Sequence, residues 1–208
     1  MIPPNSIAVI LAGGKSSRMQ RDKALLPFGE VSSLAEFQYR RLSQIFSKVY
    51  ISSKNNKFDF DVEIIEDIYE SSSPLVALVS IFEALDDIEE IFLLSVDTPF
   101  VDKTLIDTLY KNNHSVDVVV AESNNGLEPL CAIYHRSCIV EAKRALELNR
   151  HKLHSLFEKL DVKIVKIENE GEFINLNYPS EYEEAQKKWY ARINSSLVSS
   201  VESCFEQK

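Results

Sequence analysis

The chain has few cysteines, and they are not spaced for the usual cysteine chemistry. Its 208 residues include only Cys131, Cys138 and Cys204, with no C-x-x-C pair among them. That spacing excludes the common zinc and dithiol redox motifs, and an odd count suits reduced thiols in a cytoplasmic protein. Long apolar runs are also missing. The stretch from Ile7 to Ala12 is short, and residues 1–6 before it carry no basic side chain, so neither a membrane span nor an export signal is expected. Positive charge is in deficit, with 23 Lys and Arg against 32 Asp and Glu and a formal net charge of -9. No extended basic face can neutralise a nucleic-acid backbone, so nucleic acid is not an expected partner. Internal repeats, low-complexity segments and linkers are absent too. A chain of this length with 45% hydrophobic residues can bury a sizeable core, and the expectation is one domain over residues 1–208 with a helical extension over about 185–208.

Against that acidic background, one cationic stretch stands out. Ile7 to Leu11 is a continuous apolar, β-branched run that reads as a strand buried on both faces, and Gly13-Gly14 ends it abruptly. Paired glycines let a backbone approach a ligand and turn its N–H groups toward an anion. Lys15, Arg18, Arg21 and Lys23 follow, with Asp22 as the one acid among them. In a protein of net negative charge, this combination points to a phosphate-bearing ligand, the alternative being an exposed loop of solvated cations. Two commoner phosphate loops do not fit. No G-x-G-x-x-G follows Gly13, and a Walker loop would need a glycine five residues before Gly14, where Val9 stands.

Downstream, the hydrophobic periodicity alternates between strand and helix. Leu34, Phe37, Leu42, Ile45 and Phe46 recur at helical spacing behind Ser32 or Ser33 as the N-cap, and Val49-Tyr50-Ile51 and Val62 to Asp67 read as strands. Ser71 to Pro74 opens a helix to Leu85, Ile91 to Val96 is the most apolar strand, and Asp102 caps a helix through about Lys111. Val116 to Ala121 and Leu130 to Tyr134 flank Asn124-Asn125-Gly126, so this pair reads as an antiparallel excursion. Helices over Ile139 to Leu148 and Lys152 to Leu160, a strand over Val162 to Ile167 and a helix from Pro179 complete the chain. The fold class is therefore α/β, a mostly parallel central sheet with helices on both faces. Ligands of such sheets bind at the carboxyl ends of the strands, where the glycine turn, Asp67 and Asp97 all fall.

Leu11-Ala12-Gly13-Gly14, then Ser17-Arg18-Met19, then Asp22-Lys23-Ala24-Leu25-Leu26 closely resemble the signature of nucleotidyltransferases with a three-layer Rossmann-like fold, and more narrowly of the molybdenum cofactor guanylyltransferases (MobA). The resemblance runs from Ile7 to about Glu184. It implies that Leu11, Ala12, Gly13, Gly14, Arg18 and Lys23 hold a nucleoside triphosphate, with Lys23 and Lys15 on its phosphates. Ser95-Val96-Asp97-Thr98-Pro99 resembles the segment whose aspartate binds a divalent ion, which makes Asp97 the expected Mg²⁺ ligand. A strand-end carboxylate suits that ion, which commonly takes one or two protein carboxylates and completes its shell with phosphate and water; read without the glycine loop, Asp97 before Thr98-Pro99 favours a cap or turn role, and the loop reverses that preference. Asp67 and Ser52 correspond to the base pocket, where a carboxylate accepts guanine N1–H and the exocyclic amine. Ser73 and Ala77 stand where the family carries glycines.

On the acceptor side, Glu128-Pro129-Leu130 resembles a lining strand, and Phe173 to Glu181 resembles the family's ending with two asparagines. Asn175 and Asn177, two apart on extended chain, project to one face, although Asn177 before Tyr178-Pro179 also suits a turn. Arg150, His151 and Lys152 resemble a basic patch that meets the incoming acceptor. No acid or cysteine accompanies His151 and His154 to complete a zinc site. The resemblance implies GMP transfer from GTP to Mo-molybdopterin, with contacts to molybdopterin-inserting and molybdoenzyme-maturation proteins. Cytidylyl transfer, nucleotidyl transfer to a sugar phosphate, and a non-catalytic nucleotide-binding adaptor remain as alternatives.

Overall fold

A computed structural model describes residues 1–13, 19, 21–69, 73–168 and 170–205, excluding the side chains of residues 170 and 195–205. Seven strands form one sheet: β1 Ile7–Leu11, β2 Lys48–Ser53, β3 Ile64–Glu66, β4 Glu90–Ser95, β5 Val118–Ser123, β6 Gly126–His135 and β7 Val162–Lys166. Their spatial order is β3-β2-β1-β4-β6-β5-β7. Only β6 runs against the rest, pairing antiparallel with both β4 and β5. The expected excursion is the β5–β6 hairpin, and its turn includes Gly126 at φ +113°, a conformation that glycine adopts at little cost.

Helices cover both faces. On one side lie α1 Leu34–Leu42, α3 Lys103–Lys111 and α6 Pro179–Phe205; on the other lie α2 Pro74–Ala84, α4 Ile139–Glu147 and α5 Leu153–Phe157. Alternation along the strands divides the core between these layers. Ala8, Ile10, Phe92 and Leu94 face the first layer, while Ile7, Val9, Ile91 and Leu93 face the second. Both faces of the central strands are thus apolar, which is why β1 and β4 read as unbroken hydrophobic runs.

Local chemistry sets most helix starts. Ser33 accepts from the Glu36 amide, Ser73 from the Val76 amide with Pro74 in the first turn, and Asp102 from the Leu105 amide. Three elements are shorter than periodicity suggests. The strand expected over Val62 to Asp67 is only Ile64–Glu66, because it is an edge strand with β2 as its single partner. The first helix stops at Leu42; Ile45 and Phe46 lie in the following turns, yet Phe46 still stacks on Phe92 at 5.4 Å. The helix expected from Lys152 to Leu160 spans Leu153–Phe157, with Lys152 at its N-cap.

The sheet places β1, β2, β3 and β4 parallel, so the chain leaves all four at one edge. Ala12-Gly13, Asp67 and Asp97 follow β1, β3 and β4 at that edge.

Candidate functional site

The site is assembled from three distant segments that meet at the carboxyl end of β4. Lys23, in a 3₁₀ turn over Lys23–Leu25, donates from Nζ to Asp97 Oδ2 at 2.9 Å and to Asn177 Oδ1 at 2.7 Å. Asp97 Oδ1 accepts from the Ser95 hydroxyl at 2.6 Å. The Asp97 carbonyl accepts from the Leu176 amide at 3.1 Å, which fastens the asparagine-bearing segment to the same loop. One ammonium is therefore shared between a carboxylate and an amide oxygen, both hard oxygen donors.

The Asp97 loop is held from behind by α1. Gln38 Nε2 donates to the Thr98 carbonyl at 3.0 Å, and the Arg41 guanidinium donates to the carbonyls of Pro99 and Val101. Burial lowers the Arg41 pKa to about 10, with Asp102 opposing the shift and Arg192 reinforcing it, so the side chain remains cationic at neutral pH.

Asn175 and Asn177 line a cleft of about 410 Å³ with Ser123, Asn124 and Asn125 of the β5–β6 turn, Phe173, Ile174 and Glu181. The pair does share one face, as the spacing predicts. Glu181 Oε2 accepts from the amides of Asn177 and Tyr178 and so fixes the start of α6. Glu128 of β6 accepts from Ser123, a residue of this lining, at 2.8 Å. Burial raises its pKa; the Ser123 hydrogen bond opposes this, Asp97 adds to it and His154 offsets it. Glu128 thus sits within electrostatic reach of both Asp97 and the start of α5.

On the β2–β3 side, Ser52 is buried opposite Leu11 in the parallel register, and its carbonyl accepts from the Ala12 amide at 2.9 Å. Asp67 is half-buried, and its Oδ1 is enclosed with no hydrogen-bond partner among the described residues. Burial raises its pKa, with Lys54 opposing. An enclosed carboxylate oxygen without a donor is costly unless something supplies one.

His151 lies at the start of α2, where Nδ1 is 3.1 Å from the Ser73 hydroxyl and Nε2 is 2.9 Å from Asn149 Oδ1. Since Ser73 Oγ also accepts from Val76 N, its hydroxyl proton is available to His151 Nδ1. Arg150 and Lys152 are exposed beside it. Of the remaining sequence-predicted residues, Gly13 follows β1, where a Cβ would meet nothing within 4 Å among the described residues, whereas Gly14, Lys15 and Arg18 lie outside the described residues.

The motifs do not mark Gln38, Arg41 or Lys57 as parts of this neighbourhood. Ser95 and Glu128 lie inside motif segments and are recoverable from them. Gln38, Arg41 and Lys57 act across 35 or more residues and carry no local signal. Among the described residues there is no cluster of three or more His, Cys, Asp or Glu, and no helix is long and apolar enough to cross a membrane.

Residues 8–164 match the family model of the MobA-like NTP transferase domain. The molybdenum cofactor guanylyltransferase of Campylobacter jejuni subsp. doylei is 39% identical over 178 residues, spanning 84% of this chain and 92% of its own. That of Helicobacter pylori is 35% identical over 186 residues, spanning 86% and 90%. The crystal structure of molybdopterin-guanine dinucleotide biosynthesis protein A from Archaeoglobus fulgidus shares the fold, with a TM-score of 0.77 at 21% identity and coverage of 89% of this chain and 99% of that one.

Proposed function

Because the chain belongs to the MobA-like NTP transferase family, we propose that it is a molybdenum cofactor guanylyltransferase, an enzyme that transfers GMP from GTP to Mo-molybdopterin. The terminal phosphate oxygen of molybdopterin attacks the α-phosphorus of GTP. The bond from that phosphorus to the bridging oxygen of the β-phosphate breaks, and the products are molybdopterin guanine dinucleotide and pyrophosphate. A phosphate monoester is largely ionised near neutral pH, so the attack requires no general base and no covalent enzyme intermediate. Catalysis rests on positioning and on neutralising the triphosphate charge.

The observation that carries this reading is the sharing of Lys23 Nζ between Asp97 and Asn177. The same two oxygens fit Mg²⁺, a hard ion that takes one or two protein oxygens and completes its shell with phosphate and water. When bound, that ion supplies charge neutralisation to the triphosphate. Asp97 and Asn177 are its proposed holders, and Lys23, Lys15 and Arg18 face the phosphates. Leu11, Ala12, Gly13 and Gly14 form the backbone of the cradle. Asp67 receives guanine N1–H and the exocyclic amine beside Ser52, which gives its enclosed oxygen the donor it lacks. Asn175 belongs to the acceptor cleft, and Arg150, His151 and Lys152 meet the phosphate of the incoming cofactor. The reaction is assigned to the cytoplasm, and molybdopterin-inserting or molybdoenzyme-maturation proteins are the proposed recipients of the product.

Isothermal titration with GTP, CTP and ATP, with and without Mg²⁺, tests the base assignment. Tight, Mg²⁺-dependent binding of GTP alone supports it. Preference for CTP overturns guanylyl transfer in favour of cytidylyl transfer on the same fold.

A further inference from the structure

Lys57 lies in the loop between β2 and β3 and belongs to no motif. Its ammonium nevertheless reaches back across the chain to donate to the Ala12 carbonyl at 3.0 Å and to Asp22 Oδ2 at 2.5 Å. The ion pair is largely enclosed, with side-chain exposures of 20% for Lys57 and 33% for Asp22. These two acceptors flank the cationic glycine loop. Ala12 is the last residue before Gly13, where the chain leaves β1, and Asp22 is the residue before Lys23. Asp22 is committed on its other oxygen as well, since Oδ1 accepts from the Ala24 amide at 3.0 Å and caps the 3₁₀ turn that carries Lys23. Ala12 is likewise tied through its amide to the Ser52 carbonyl at 2.9 Å.

Lys57 is therefore committed to Ala12 and Asp22. Its charge is already balanced by Asp22, and its two hydrogen bonds to Ala12 and Asp22 reach the two ends of one segment. A salt bridge between exposed groups contributes little, but a largely enclosed ammonium that also donates to a backbone carbonyl restrains chain geometry. The restraint acts on the turn that presents Lys23 to Asp97 and Asn177. It also links that turn to the loop following Ser52, on the base side of the site.

We propose that Lys57 is a positioning residue that pins both ends of the phosphate-binding loop and, through Asp22, sets the placement of Lys23. This rests on the nucleotide-binding reading above. It is not a phosphate ligand, and its effect on nucleotide affinity passes through Asp22.

The test compares wild type with Lys57→Met, Lys57→Arg, Asp22→Asn and the Lys57→Met/Asp22→Asn double variant. The dissociation constant is measured for whichever nucleoside triphosphate the wild type binds most tightly, with melting temperature measured in parallel. Lys57→Met is expected to weaken binding about tenfold, whereas Lys57→Arg, which keeps a cationic donor, stays within about threefold. On the Asp22→Asn background the further loss from Lys57→Met shrinks to about threefold or less, because residues acting through one another are not additive. A full tenfold loss on that background would identify a direct phosphate contact and overturn the proposal. Equal losses in the Met and Arg variants with a matching fall in melting temperature would also overturn it. Amide hydrogen exchange in the nucleotide-free protein provides a readout that needs no ligand: Lys57→Met must speed exchange at Lys23 to Leu26, and unchanged exchange contradicts the pinning. The identity of the preferred triphosphate tests guanylyl transfer, while the ratios among variants test Lys57.

Discussion

At Lys23, one ammonium faces a carboxylate and an amide oxygen from segments 74 and 154 residues away in sequence. This convergence assigns different failures to its members. Lys23→Ala removes charge that matters most as negative charge shifts onto the departing pyrophosphate, so kcat is expected to fall about 10²–10³-fold with a smaller change in KM for GTP. Asp97→Ala removes the proposed metal holder and is expected to abolish metal-dependent turnover; retained Mg²⁺-dependent activity in this variant would contradict the assignment. Asp67 allows a pH test. Burial raises its pKa, so the folded protein binds that proton more tightly than the unfolded chain does. The stability tied to this group is therefore greatest at low pH and declines as pH rises through the ordinary carboxylate range toward the raised value. With Asp67 in its proposed place under the guanine, GTP affinity is expected to run the opposite way, because only the ionised carboxylate accepts two donors. Affinity is expected to fall on acidification from a higher pH than an ordinary carboxylate would give. Asp67→Asn flattens that dependence and loses GTP affinity while its melting temperature at pH 7 stays equal or rises, a trade expected where a functional group is kept at a cost in stability.

Among the elements, α1 and α6 brace the site from the same face of the sheet. Gln38 and Arg41 of α1 hold the carbonyls of the Asp97 loop. Tyr182, Gln186 and Tyr190 of α6 donate to the carbonyls of Pro27 and Gly29, just beyond the Lys23 turn. Trp189 packs edge-on against Phe37 at 4.7 Å, and Lys188 and Arg192 lie over the Phe100 ring. The C-terminal helix thus seats on this face at least as far as Arg192. Trp189→Ala is expected to cost about 2–3 kcal/mol in chemical denaturation, with a loss of activity that follows the loosened Pro27–Gly29 segment. Gly29 is at φ +61°, and a Cβ there would lie 2.9 Å from Trp189 Nε1. Gly29→Ala should accordingly destabilise by about 1–2 kcal/mol through both backbone strain and the displaced indole. Wild-type stability in either variant would contradict the seating of α6.

For the molecule as a whole, the parts legible in the sequence are those that local chemistry dictates. The Ser73-Pro74 and Asp102 helix starts and the hairpin at Asn124 to Gly126 all announce themselves through residues with strong local backbone preferences. The alternation of elements gave an α/β sheet, and the motifs located Lys23, Asp97 and Asn177. The braces were not legible, because Arg41 to Pro99 and Lys57 to Ala12 are pairings of ordinary residues across long separations that no periodicity encodes. Strand order is hidden for the same reason. The short β3 shows the converse, an apolar run trimmed by its edge position. The thiols follow from the global packing. Cys131 and Cys138 are both buried, and burial raises Cys138 to about 12 and Cys131 well above its ordinary value, so neither should react with a thiol reagent at pH 8 until the protein is denatured. Rapid native-state modification of either would contradict that packing.

Guanylyl transfer at the Lys23–Asp97–Asn177 cluster would be read out by pyrophosphate release. The purified protein would be supplied with Mo-molybdopterin and Mg²⁺ and, in separate reactions, GTP, CTP or ATP. The account predicts pyrophosphate release with GTP, dependent on both Mg²⁺ and the acceptor and lost in Asp97→Ala, together with the guanine dinucleotide product by mass spectrometry. Release with CTP in preference to GTP, or GTP binding without any release, would contradict it.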